Sequence, residues 1–219
     1  TIQTDFNRSE NMKIPYISGE WKILFKPEEY GNYVNDHTII KGPDNEWHLY
    51  GITSFGEGAS QERYFVHGKG KNLDAPFAEA GKSIDTGTLA WAPCVMNKND
   101  TYYMFYGPSP TSLAVSFDMH EWFGHKITLN NEPLMAAHRD HFVLKVDENK
   151  YLMYVVGVHN TKGAVSCFSS RDLLTWNFEG FALTSGDDAP LKPGWGAMES
   201  PFVLKKDGLY YLFITYTDS

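Results

Sequence analysis

Apolar and polar residues along this chain fall into short blocks that alternate or run continuously apolar, separated by turn residues. No block holds a 3.6-residue period for three turns, so the pattern predicts an all-β chain. A short strand is expected over Glu20 to Lys26, after a polar lead-in with a Pro-Tyr interruption and an edge strand at most. Four groups of strand-like blocks follow. The first comprises Asp36 to Lys41, Glu46 to Thr53, Glu62 to Gly68 and a weaker Phe77 to Ile84, with Gly42-Pro43-Asp44-Asn45 as a clear turn. The second comprises Leu89 to Met96, Thr101 to Tyr106, Ser112 to Phe117 and Trp122 to Ile127, and the third His138 to Lys145, Lys150 to Val156, Gly163 to Ser169 and Thr175 to Phe181. The fourth is a hairpin, Pro201 to Leu204 and Leu209 to Tyr216 around Lys205-Lys206-Asp207-Gly208.

These groups share one grammar. In each, a head residue stands 11 positions before the first aromatic of the second strand: Asp36 before Trp47, Trp91 before Tyr102, Asp140 before Tyr151 and Glu199 before Tyr210. Ser116-x-Asp118-x-x-x-Trp122 also recurs, 54 residues later, as Ser170-x-Asp172-x-x-x-Trp176. A period near 50 residues with about four strands per unit is the sequence form of propeller blades. The expected organisation is one propeller domain over 1–219, with a lead-in at 1–31 and blade units at 32–86, 87–130, 131–185 and 186–219. The last unit stops after two strands, which leaves a strand edge open, so completing sequence is expected beyond Ser219.

Composition narrows the function classes. With 42% hydrophobic residues among 219, the chain can bury a substantial core. Its formal charge of −8, with Lys and Arg scattered among acids, argues against nucleic-acid and anionic-membrane partners. There is neither an apolar run long enough to span a bilayer nor a signal-peptide pattern, and the chain opens on Thr1. Cys94 and Cys167 lie inside strand blocks without metal spacing and read as buried thiols.

Inner strands of a propeller line one axis, so residues at equivalent strand starts converge at one end of it. Asp36, Asp140 and Glu199 are therefore expected to meet. Three convergent carboxylates suit glycoside hydrolysis: one protonates the leaving oxygen, one activates water or attacks carbon, and one orients the pair. Solvated loop acids or a cation site are the plainer alternatives.

The motifs at these heads resemble those of glycoside hydrolase family 43, whose clan includes the family 32 invertases and fructosidases. Asn35-Asp36-His37-Thr38-Ile39 resembles the family's Arg-Asp-Pro-x-Ile, Trp91-Ala92-Pro93 its Trp-Ala-Pro-acid, and Glu199-Ser200-Pro201 its Glu-Ala/Gly-Pro. Arg139-Asp140-His141 resembles the middle Asp-Pro motif and equally the Arg-Asp-Pro of the invertases. The resemblance covers about Asn32 to Tyr216. It implies a five-bladed β-propeller, of which about three and a half blades lie in this chain. It further implies Asp36 as general base, Asp140 as the residue that modulates acidity, and Glu199 as general acid. Cys94 stands where the family usually has an acid, and His37 and His141 where proline is usual.

Substrate contacts are expected from Trp91 and Trp195 by stacking, from His37 and His141 by hydrogen bonding, and from Arg139. His67, His138 and Phe55 are further residues at strand or loop ends facing the pocket. No cofactor or catalytic metal is required, although the axis can hold a structural cation. The expected enzyme is an extracellular or periplasmic glycosidase of arabinofuranosidase or xylosidase type, inverting, acting on an oligosaccharide or polysaccharide. A retaining fructosidase of the family 32 kind, a non-catalytic sugar-binding propeller and a phosphorylase, for which only Arg139 would serve phosphate, are the alternatives. Glu199, between Met198 and Pro201-Phe202, is expected to be the most desolvated of the three acids, whereas His37 and Thr38 keep Asp36 ionised.

Overall fold

The computed structural model describes residues 16–56, 58–133, 135–186 and 198–216. Blade 1 is an antiparallel sheet of β1 (Asn35–Lys41), β2 (Trp47–Thr53), β3 (Tyr64–Gly70) and β4 (Ala78–Ser83), in that order. Blade 2 repeats it with β5 (Trp91–Lys98), β6 (Thr101–Gly107), β7 (Ser112–Ser116) and β8 (Phe123–His125). Blade 3 orders β10 (Ala136–Asp147), β11 (Lys150–His159), β12 (Lys162–Ser170) and β13 (Thr175–Thr184), and adds the short β9 (Thr128–Asn130) outside β13. The hairpin of β14 (Met198–Lys206) and β15 (Leu209–Tyr216) begins blade 4. Among the described residues the only helical element is a single 3-10 turn, Ala59–Gln61. The strands β1, β5, β10 and β14 are innermost in their sheets and lie against one another in sequence.

The core sits between blades. Tyr50, Ile52 and Phe65 of blade 1 meet Val95, Met104 and Tyr106 of blade 2; Phe105 and Leu113 meet Val143, Met153 and Phe168 of blade 3; Tyr154, Val156 and Val165 meet Met198 and Val203. Middle strands are thus covered on both faces, which is why β2 and β11 read as continuous apolar runs rather than alternating ones.

The repeated Ser-x-Asp motif is a turn that plants a core residue. Ser116 Oγ accepts from Met119 N, and Asp118 Oδ1 from His120 N and Glu121 N; Ser170 and Asp172 do the same for Leu173, Leu174 and Thr175. Met119 and Leu173 adopt positive φ of 68° and 70° and are wholly buried.

Three expectations are corrected. Glu20 to Lys26 forms no strand; Leu24 only accepts one hydrogen bond from Phe77 N, and Phe25 packs on Gly68. The block Trp122 to Ile127 shortens to β8, and the next three residues pair in parallel with β13, joining blade 3. Cys167 is half-buried rather than buried, and both cysteines are free.

Candidate active site

Strand register shows how the heads of the inner strands are set. The first aromatic of each second strand pairs with Lys41, Asn97, Lys145 or Lys205, and six residues before each of these stand Asn35, Trp91, Arg139 and Glu199. A β-bulge follows at once in all four strands, between Asn35 and His37, Trp91 and Cys94, Arg139 and Phe142, and Glu199 and Phe202. Bulges at strand ends re-aim side chains and gather at active sites. Asp36, Ala92, Asp140 and Ser200 occupy the next position, and the last three have φ of 47°, 55° and 53°.

The acids are therefore one step out of phase: Glu199 matches Arg139, while Asp140 matches Asp36. The constant spacing of 11 conceals this. Blades 2 and 4 close the hairpin with two-residue turns, Asn99-Asp100 and Asp207-Gly208, whose positive φ values fit type I′. Blade 1 uses a longer loop and blade 3 a second bulge between Lys145 and Asp147, each adding one residue.

Two cavities correspond to the two positions. One, of about 170 Å³, is lined by Asn35, Trp91, Arg139 and Glu199 together with Asp36, Asp140, Ile52, Ala59 and Glu62. The other, of about 450 Å³, follows the inner strands past Ala92, Ser200, His37, His141, Cys94 and Phe202. Asp36 and Asp140 line both.

The three expected acids do converge. Arg139, 3% exposed, places Nε 3.7 Å from Asp140 Oδ2 and Nη2 3.3 Å from Glu199 Oε1. Since both nitrogens belong to one planar guanidinium, the Asp140 and Glu199 oxygens lie within about 10 Å of each other, the range in which two carboxyls serve one glycosidic bond. Ser200 links the other pair, with N donating to Asp140 Oδ2 at 3.0 Å and Oγ to Asp36 Oδ1 at 3.4 Å.

Their environments reverse the expected order of desolvation. The Glu199 side chain is 46% exposed, whereas Asp140 is 6% exposed. Burial raises Asp140 to about 6 against the opposing pull of Arg139 and the Ser200 N–H. Burial, and next the charge of Glu199, also raise Asp36, and the Ser200 hydroxyl, then His37 and Arg139, only partly offset them. The local sequence around Glu199 is apolar, but the neighbouring strand brings a guanidinium to it.

Of the expected substrate-binding residues, Trp91 and Arg139 line the smaller cavity and His37 and His141 the larger. Trp91 also packs against the core between blades 1 and 2. His141 is buried, and its Nε2 lies 2.8 Å from Thr111 Oγ1. Trp195 lies outside the described residues. His67, His138 and Phe55 line neither cavity: His67 is buried beside His48, His138 pairs with Glu132, and Phe55 is exposed. Cys94 lines the larger cavity, accepts from Val143 N, and is held as a neutral thiol because burial pushes it up to about 11. Glu62 is the carboxylate that sequence reasoning missed. It belongs to no repeated head, and the only signal available was its place beside a turn at the start of a strand block. Among the described residues no group of three or more His, Cys, Asp and Glu is set to hold a metal ion.

No family model and no curated protein matches the sequence. Solved structures match it well. The sucrose-6-phosphate hydrolase of Lactobacillus gasseri aligns over 83% of this chain at 17% identity and a TM-score of 0.65. An exo-1,5-alpha-L-arabinanase from a bovine ruminal metagenomic library aligns over 87% at 14% identity and 0.60, and the family 43 endo-arabinanase of Bacillus licheniformis over 87% at 18% and 0.57. The chain spans 40% of the first of these proteins, 70% of the second and 68% of the third. With three complete blades and a hairpin of a fourth, the described residues share the β-propeller fold of this sucrose-6-phosphate hydrolase and these arabinanases.

Proposed function

We propose that this chain carries the active site of a glycoside hydrolase that cleaves furanosidic or xylosidic linkages with inversion, using Asp36 as general base, Glu199 as general acid and Asp140 as the orienting carboxyl. The observation that carries the reading is the meeting of these three acids, from three different inner strands, around one small cavity that Trp91 also lines. A polar cavity of about 170 Å³ has room for roughly six waters at about 30 Å³ each, which is the size of one sugar ring. Glu199, whose side chain is 46% exposed, is suited to meet a leaving oxygen at the mouth. Asp36, held by Ser200 Oγ, is suited to take a proton from water on the far side of the ring. Buried Asp140 grips Ser200 N and faces Arg139, so it sets the geometry of both neighbours.

The fold shared with a sucrose-6-phosphate hydrolase, together with the Arg139-Asp140 pair, favours a second reading in which Asp36 attacks carbon and configuration is retained. In either reading the substrate is an oligosaccharide or polysaccharide, the chemistry needs no cofactor, and the working compartment is extracellular or periplasmic.

A panel of aryl arabinofuranosides, xylosides, galactosides and fructoside surrogates, assayed with wild type and Glu199→Gln, tests the proposal. Cleavage by wild type with loss in the variant supports it, and the anomer released first, read by NMR, separates inversion from retention. Binding without cleavage across the panel would replace it with a sugar-binding propeller.

A further inference from the structure

Glu62 ends the 3-10 turn between β2 and β3 and is 8% exposed, yet it lines the small cavity with Asp36, Trp91 and Glu199. Tyr33 Oη donates to its Oε1 at 2.9 Å and lies 3.2 Å from Ser54 Oγ. Burial raises Tyr33, which keeps the phenol a donor across the neutral range. Ala90 N donates to Glu62 O at 2.9 Å, tying the residue to the start of the segment that bears Trp91. Among the described residues, Oε2 accepts no hydrogen bond and no cation pairs with this carboxylate. Glu62 Oε2 is not among the buried atoms sealed off without a partner, so the carboxylate opens on the cavity it lines, where a hydroxyl donor can reach it.

We propose that Glu62 is a substrate-binding residue that accepts hydrogen bonds from neighbouring free hydroxyls of the sugar ring lodged beside Trp91, and thereby selects a neutral, unsubstituted ring. A carboxylate accepts from two vicinal hydroxyls, and such charge-assisted bonds are about twice as strong as neutral ones. Among the described residues, four carboxyls (Asp36, Glu62, Asp140 and Glu199) line this cavity against the guanidinium of Arg139. A phosphate or uronate on the same ring would meet like charge, so anionic sugars are rejected. The role proposed for Glu62 is binding, and proton transfer stays with Asp36 and Glu199.

The inference rests on the hydrolase reading, and its test separates the two. The best aryl glycoside of the panel and its monodeoxy analogues are compared with wild type, Glu62→Gln and Tyr33→Phe. Glu62→Gln is expected to lower kcat/KM on the parent by about 10- to 100-fold, the worth of hydrogen bonds to a charged group. On at least one deoxy analogue, which lacks the hydroxyl that Glu62 receives, the two proteins should agree within about threefold by the same logic. Tyr33→Phe should show a smaller loss with the same dependence on substrate. An equal loss on every analogue, or none on the parent, would overturn the proposal. Should wild type cleave nothing in the panel, the hydrolase reading fails, and saturation-transfer NMR with the free monosaccharides decides on Glu62: a transfer signal with wild type that vanishes in Glu62→Gln sustains the site, and the absence of any signal with wild type overturns it.

Discussion

Arg139 Nη2 lies 3.3 Å from Glu199 Oε1, and these residues hold the same position in consecutive inner strands. The guanidinium therefore joins two blades at their heads, and its Nε faces Asp140 on its own strand. Removing it leaves a buried carboxyl without its cation. Arg139→Ala is expected to cost about 3 kcal/mol in urea denaturation, as other broken buried pairs do. Arg139→Lys, with a point charge in place of a planar fork, should recover less than half of that loss. A cost under about 0.5 kcal/mol, the level of a surface pair, would contradict the arrangement.

Asp140 gives the protein a pH dependence of defined sign. Its folded pKa, about 6, lies above the ordinary carboxyl value, so between those limits the folded state holds a proton that the unfolded state has lost. Stability contributed by this group is present in acid and is lost as pH rises towards 6. Asp140→Asn should therefore raise stability near pH 7.5, by up to about 3 kcal/mol, and change it little near pH 3.5. Parallel urea titrations at the two pH values check this.

Two buried histidines act in the opposite direction. His67 Nε2 lies 2.9 Å from His48 Nδ1, with Asp44, Lys69 and His120 around the pair, while His141 faces Thr111 and His138. Burial is the first cause that lowers His67 and His141 to about 3. Below pH 6.5 the unfolded chain takes up protons that the folded chain refuses, so stability falls as pH drops, by up to about 1.4 kcal/mol per pH unit for each histidine. His67→Gln should flatten that slope between pH 6.5 and 5; an unchanged slope would show that His67 is protonated in the fold.

The two outer acids should part company when the leaving group is varied. Glu199→Ala is expected to reduce cleavage of poor leaving groups by more than about a hundredfold and of activated aryl glycosides by far less, because a good leaving group needs no proton. Asp36→Ala should abolish both. Equal losses for Glu199→Ala on both substrates, or release by wild type of a first product with the anomeric configuration of the substrate, would contradict the inverting assignment.

Cys94 should resist thiol reagents at pH 8 until the protein is unfolded, since it is buried with its thiol pushed up to about 11. Half-buried Cys167 should label first. Timed labelling with mass-spectrometric readout distinguishes the sites, and faster modification of Cys94 would mean that the larger cavity opens.

Repetition made the blades and the three acids legible, because each inner strand carries the same apolar run and the same aromatic return. What it hid was phase. Equal spacing aligned Glu199 with Asp140, whereas register aligns it with Arg139, since the extra residues of blades 1 and 3 lie at the far end of the hairpin. Glu199 reads as apolar from its chain neighbours, but a side chain 60 positions upstream supplies its cation. Glu62 escaped because it sits outside the repeat, and β9 because three residues carry no pattern without the strand they pair with.

The left-handed residues at the bulges also bear on how this protein can change under selection. Ala92 and Ser200 hold a positive φ without being glycine, at a cost of roughly 1 to 2 kcal/mol apiece, and Asp140, of a type that enters this region more readily, is a buried acid. Glycine at 92 or 200 relieves the backbone cost, and a neutral residue at 140 relieves the cost of burying a charge. Gains in heat resistance are therefore available in the bulges that aim the acids. A lineage or a screen rewarded for thermal survival alone would be drawn towards a sturdier propeller whose acids no longer meet.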